Sequence, residues 1–94
     1  MLGGPSAAKP ADDTIRQIVN EIRPKVEETL NATYTIYEPV SYKTQVVAGT
    51  NFFVKVKVDG DSYIHLKIFR PLPCNGTELK LLQQSAGHSL QDGF

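Results

Sequence analysis

The spacing of apolar residues changes once along the chain, at Asn31, and that change most constrains the fold. Before it, Ile15, Ile18, Val19, Ile22, Val26 and Leu30 recur every three or four positions, which places them on one face of an α-helix. After it the period is two. Tyr34, Ile36, Val40, Tyr42 and Val46 alternate with more polar neighbours, followed by Phe52, Val54, Val56 and Val58, then by Ile64, Leu66 and Ile68. One striped helix followed by strands with one apolar face each predicts an α+β domain. In it a four- to five-stranded antiparallel sheet wraps a long N-terminal helix.

Local signals give provisional boundaries. Residues 1–11 are rich in Gly, Pro, Ala and Ser and read as a mobile arm. The helix is expected over 12–31, started by the carboxylates of Asp12 and Asp13, with Thr14 and Gln17 at capping-box spacing. Pro24 removes one backbone hydrogen bond, but the stripe resumes at Val26, so the helix is expected to continue through it. Antiparallel strands fill 33–82. Pro39 marks a bulge or an edge, and Asp59-Gly60-Asp61 marks a hairpin turn. Strands are expected at 51–58, 63–69 and 77–82, with RPLPCNG at 70–76 as a loop and 83–94 as a polar tail. Ninety-four residues suit a single domain with one core.

Composition excludes several classes of function. Ten basic and ten acidic side chains cancel, so there is no strong field for phosphates, and neither nucleic acid nor membrane is expected as a partner. Cys74 is the one cysteine, which rules out an intrachain disulfide. The start, MLGGPSAAKPADD, has no basic n-region or apolar core of a signal peptide, so a cytoplasmic location is expected. The sequons at Asn31 and Asn75 are accordingly read as chance. No metal-ligand spacing, phosphate loop or carboxylate dyad occurs, so no cofactor, metal or enzyme activity is expected. A thiol enzyme built on Cys74 would need His65 or His88 as base. His65 alternates with Ile64 and Leu66 on the face opposite the core, and His88 falls in the polar tail. Cys74 is expected to be an exposed free thiol.

QVVAG, residues 45–49, stands between two strand patterns. A hairpin tip faces water and is usually polar, yet this one carries two valines and an alanine. Taken alone it is an ordinary hairpin with an apolar tip. Strand parity adds to this: turns after the first and third strands share one end of the sheet, so this tip and the loop at 72–76 are neighbours, with the Asp59 turn at the other end.

Together these residues resemble the stefins, the disulfide-free branch of the cystatins. The resemblance is carried by Gly3-Gly4 near the start, QVVAG continuing as TNFFVKV, Leu72-Pro73, and a final Gly-Phe. The stretch KPADDTIRQIVNEIRPKVEE also resembles the stefin helix, proline included, and the resemblance covers nearly the whole chain. It implies a reversible, tight-binding competitive inhibitor of papain-like cysteine proteases, such as cathepsins of the L, S, H and B types. The arm and two hairpin loops would form a wedge that plugs the active-site cleft without being cleaved.

The implied protease-binding residues are Leu2, Gly3, Gly4, Gln45, Val46, Val47, Ala48, Gly49, Leu72 and Pro73. Leu2, Val46, Val47 and Leu72 would be aliphatic anchors, and Gln45 would hydrogen-bond at the rim. Gly3 or Gly4 would let the arm approach the nucleophile without a Cβ, counting back from the helix favouring Gly3; Gly49 would close a tight turn, and Pro73 would stiffen the second loop. A monomer is expected. The alternative is a non-inhibitory scaffold of the same fold, such as a dimer that swaps its first hairpin.

Overall fold

A computed structural model describes residues 8–89 apart from 73, 75 and 77. Strand β1 is Lys9–Pro10, helix α1 is Asp13–Leu30, β2 is Tyr37–Val47, and β3 is Gly49–Val58. A short 3-10 turn at Asp59–Asp61 leads into β4, Ser62–Pro71, and β5 is Lys80–His88. The five strands form one antiparallel sheet in the order β1-β2-β3-β4-β5. This is the expected α+β architecture, a helix against an antiparallel sheet.

The helix starts at one of the two carboxylates expected to cap it, but without the capping box. Asp12, not Thr14, is the N-cap, and its carboxylate accepts a hydrogen bond from the Ile15 backbone N–H at 2.9 Å. That bond, the largest influence on the group, holds the Asp12 carboxyl below the usual carboxylate range, and the Tyr42 hydroxyl adds a further bond at 3.2 Å. Thr14 already lies in the first turn, so the Thr14–Gln17 pair cannot act as a capping box. Pro24 sits within the uninterrupted helix, as its neighbours predict. Termination comes at Asn31, which adopts the left-handed region at φ 53°. Backbone N–H groups of Ala32 and Asn31 then bond back to the Glu27 and Glu28 carbonyls, a Schellman ending with Asn in the place glycine usually takes.

Ile15, Ile18, Val19, Ile22 and Val26 are all buried. They share one apolar core with Phe52, Val54, Val56 and Val58 of β3 and Ile64, Leu66 and Ile68 of β4. The two central strands therefore match their sequence pattern residue for residue. β2 does not. Its register shifts between Pro39 and Ser41, leaving Val40 as the extra residue of a bulge. The shift reverses the alternation, so Tyr37 opposite Val58 is buried, whereas Ile36 is 44% exposed. Tyr34 and Ile36, expected on the strand's core face, precede the strand altogether. Instead, the Thr35 and Ile36 N–H groups donate to the Asp59 carboxylate at 3.0 and 2.5 Å, which ties the end of the helical arm of the fold to the Asp59 turn. Tyr37 donates its hydroxyl to the Val19 carbonyl at 3.1 Å, and burial pushes that phenol up.

The last strand also differs from expectation. It was expected at 77–82, with a tail beyond, but the chain remains in the sheet from Lys80 to His88. β5 is an edge strand with two register shifts against β4, which break the period of two that would reveal a strand in the sequence. His88 is thereby placed in β5 rather than in a tail. Its ring stacks on His65 at 3.9 Å between centroids, and Ser85 Oγ lies 2.7 Å from His88 Nε2.

Candidate protease-binding end of the sheet

The first hairpin is tighter than its sequence suggests. β2 pairs with β3 up to Val47 opposite Gly49, so Ala48 alone makes the tip. Gln45, Val46 and Val47 are strand residues rather than loop residues. This is possible because Gly49 takes φ +129°, a region side-chained residues rarely adopt. A Cβ on Gly49 would stand 2.6 Å from the Arg70 carbonyl oxygen and 2.8 Å from Cε1 and Cζ of Phe69. Space and backbone angle both demand glycine there.

The register carries this tip onto the second loop. Gly49 is opposite Pro71, the last residue of β4, and Leu72 follows at once. Val46 is 66% exposed and Leu72 45% exposed, so two large aliphatic side chains face solvent at one end of the sheet. Ala48 is exposed and Val47 half-buried beside them. Cys74, in the same loop, is an exposed free thiol. Between the hairpin tip and the following loop lies an open notch of about 310 Å³, lined by Ala48, Phe69, Pro71, Gly76, Glu78 and Lys80.

β1 lies along the outer side of β2, with Lys9 opposite Tyr42 and Pro10 opposite Ser41 in antiparallel sense. Leu2, Gly3, Gly4 and Pro73 lie outside the described residues. Of the remaining expected site residues, Gln45, Val46, Val47, Ala48, Gly49 and Leu72 are brought together.

Two rows in from Gly49 and Pro71, Gln45, Asn51 and Phe69 stand side by side across β2, β3 and β4. Asn51 donates its side-chain N–H to Gln45 Oε1 at 3.4 Å, and only 8% of Asn51 is exposed. Gln45 is thus tied by its side chain to the neighbouring strand. Asn51 and Phe69 did not stand out in the sequence, although strand parity places both on the face away from the helix. Arg70, opposite Thr50, holds its guanidinium 5.0 Å over the Phe52 ring.

Among the described residues, no three His, Cys, Asp or Glu side chains are grouped to hold a metal ion. No helix there is long and apolar enough to cross a membrane.

The chain matches the model of the cystatin domain over residues 3–91. It is 48% identical to Cystatin-A of Felis catus over 90 residues, covering 96% of this chain and 92% of the relative. Cystatin-B of Oplegnathus fasciatus is 39% identical over 92 residues, covering 98% and 92%. A pig protein, leukocyte cysteine proteinase inhibitor 1 of Sus scrofa, is 42% identical over 82 residues, covering 87% and 80%. With most of its length matched in this way, the chain belongs to the cystatin family, among the stefins.

Proposed function

We propose that the chain is a reversible, competitive, tight-binding inhibitor of papain-like cysteine proteases, cathepsins among them, and not itself an enzyme. The observation that carries this reading is the placement of Gly49 opposite Pro71, which sets exposed Val46 and Leu72 at one end of the sheet. The name of the pig relative, a cysteine proteinase inhibitor, supports the same activity.

The mechanism follows from the shape of that end. The target cleft is long and apolar, and Leu2, Val46, Val47 and Leu72 would enter it as aliphatic anchors. Burying four such side chains supplies roughly 6–12 kcal/mol, and association costs about 4–15 kcal/mol in lost freedom. Anchors on floppy loops would gain little. Strand pairing that runs to Val47 and Pro71 removes much of that cost in advance.

Backbone hydrogen bonds from the arm and both loops add the remainder, with Gly3 or Gly4 allowing the arm close to the protease thiolate. No peptide bond of the tip need be presented to that thiolate in substrate geometry, so the complex forms and dissociates without turnover. A cytoplasmic setting suits the exposed Cys74, which would stay reduced there.

The test is steady-state inhibition of papain by purified monomer, with a fluorogenic peptide. Competitive inhibition at nanomolar concentrations, with the protein recovered uncleaved, is expected. A folded monomer that leaves papain fully active would refute the reading.

A further inference from the structure

The two loops are joined by more than backbone pairing. Phe69 is diagonal to Gly49 across the β3–β4 ladder, two rows in from Pro71. Its ring edge reaches up to Gly49, since a Cβ there would meet Cε1 and Cζ at 2.8 Å. The same side chain lines the notch whose walls are Ala48 of the first hairpin and Gly76 beyond the second loop's start. Phe69 therefore supports the tip from below and floors the space between the loops. Phe53, also half-buried on the face away from the helix, touches neither loop in this way; its ring faces the Lys67 ammonium at 5.6 Å.

We propose that Phe69 is a positioning residue for protease binding: its ring, seated against Gly49, holds the Val46–Gly49 hairpin at a fixed angle to Leu72. The inference rests on the inhibitor reading for its functional consequence but not for its structural one. A tip without this support still reaches the cleft, but binds from a broader set of poses, so the loss falls on dissociation rather than association.

The experiment compares Phe69→Ala with Phe53→Ala, which removes a similar ring from the same face. Phe69→Leu serves as a milder variant in case the alanine form does not fold. Association and dissociation with papain are followed by stopped flow, and amide hydrogen exchange across residues 46–50 is followed in the free protein. Phe69→Ala is expected to speed dissociation roughly tenfold, with association changed less than about threefold. It should also speed exchange at 46–50, with Phe69→Leu between it and the parent. Phe53→Ala should change none of these. Equal effects from both alanine variants, or unchanged exchange in Phe69→Ala, would overturn the proposal. If the parent protein fails to inhibit papain, the inhibitor reading falls, and the exchange comparison still decides the role of Phe69.

Discussion

Gly49 stands opposite Pro71 in the β3–β4 ladder, so the tip of the first hairpin and the start of the second loop form one continuous end of the sheet. Neither residue is close to the other in sequence. The pairing follows from two strands whose core faces, Phe52 to Val58 and Ile64 to Ile68, fix their register throughout.

Val46 is 66% exposed and is not part of the buried cluster. Val46→Asp is expected to weaken papain inhibition roughly a hundredfold, through a lost anchor and a charge facing an apolar subsite. The melting temperature should move by no more than about 2 °C, because exposed substitutions cost little. Inhibition assays and a thermal melt on the same preparation check both halves. A large fall in melting temperature would mean that the side chain supports the fold.

Gly49→Ala behaves differently. Its Cβ would meet the Arg70 carbonyl at 2.6 Å in a backbone region strained for alanine. A loss of roughly 1–3 kcal/mol in urea unfolding is expected, together with weaker inhibition. Stability equal to the parent would show that the hairpin rearranges at no cost.

The Asp59 carboxyl is held below its usual range, first by the Thr35 N–H and then by that of Ile36. Because the folded value is depressed, this stabilisation is present above the ordinary carboxylate pKa and is lost as pH falls through the folded value. Asp59→Ala should therefore lower the urea midpoint at pH 7, and the gap from the parent should narrow in acid, below about pH 4. A gap that stays constant with pH would show that these bonds are not what the aspartate contributes.

Removal of Leu2 to Gly4 is expected to speed dissociation from papain and to leave the urea midpoint unchanged. Replacing Gly3 with a bulky residue should cost more inhibition than replacing Gly4. The reverse order would shift the register of the arm by one residue, and unchanged dissociation would remove the arm from the mechanism.

What could be read from the sequence divides along physical lines. β3 and β4 are central strands with one face on the helix, so burial imposed a clean alternation from Phe52 to Ile68, and both the core and the shared end of their turns were legible. Pro39 announced the bulge in β2 but not its consequence, the exchange of Ile36 for Tyr37 on the core face. β5 was half missed because an edge strand buries little and this one slips register twice. The apolar tip was legible as Val46 and Val47. Its rigidity was not: that depends on Phe69 and Arg70 closing around Gly49, contacts between strands that no local pattern encodes.

Entry of the Gly49 and Pro71 end of the sheet into the protease cleft would leave a footprint on the backbone amides there. Amide hydrogen exchange of the stoichiometric papain complex, compared with the free protein, tests it most directly. New protection is expected at Val46 to Thr50 and at Leu72, with the Asp59–Asp61 turn unchanged. Protection at the Asp59 turn or along β5, with the Val46–Thr50 amides unaffected, would contradict it.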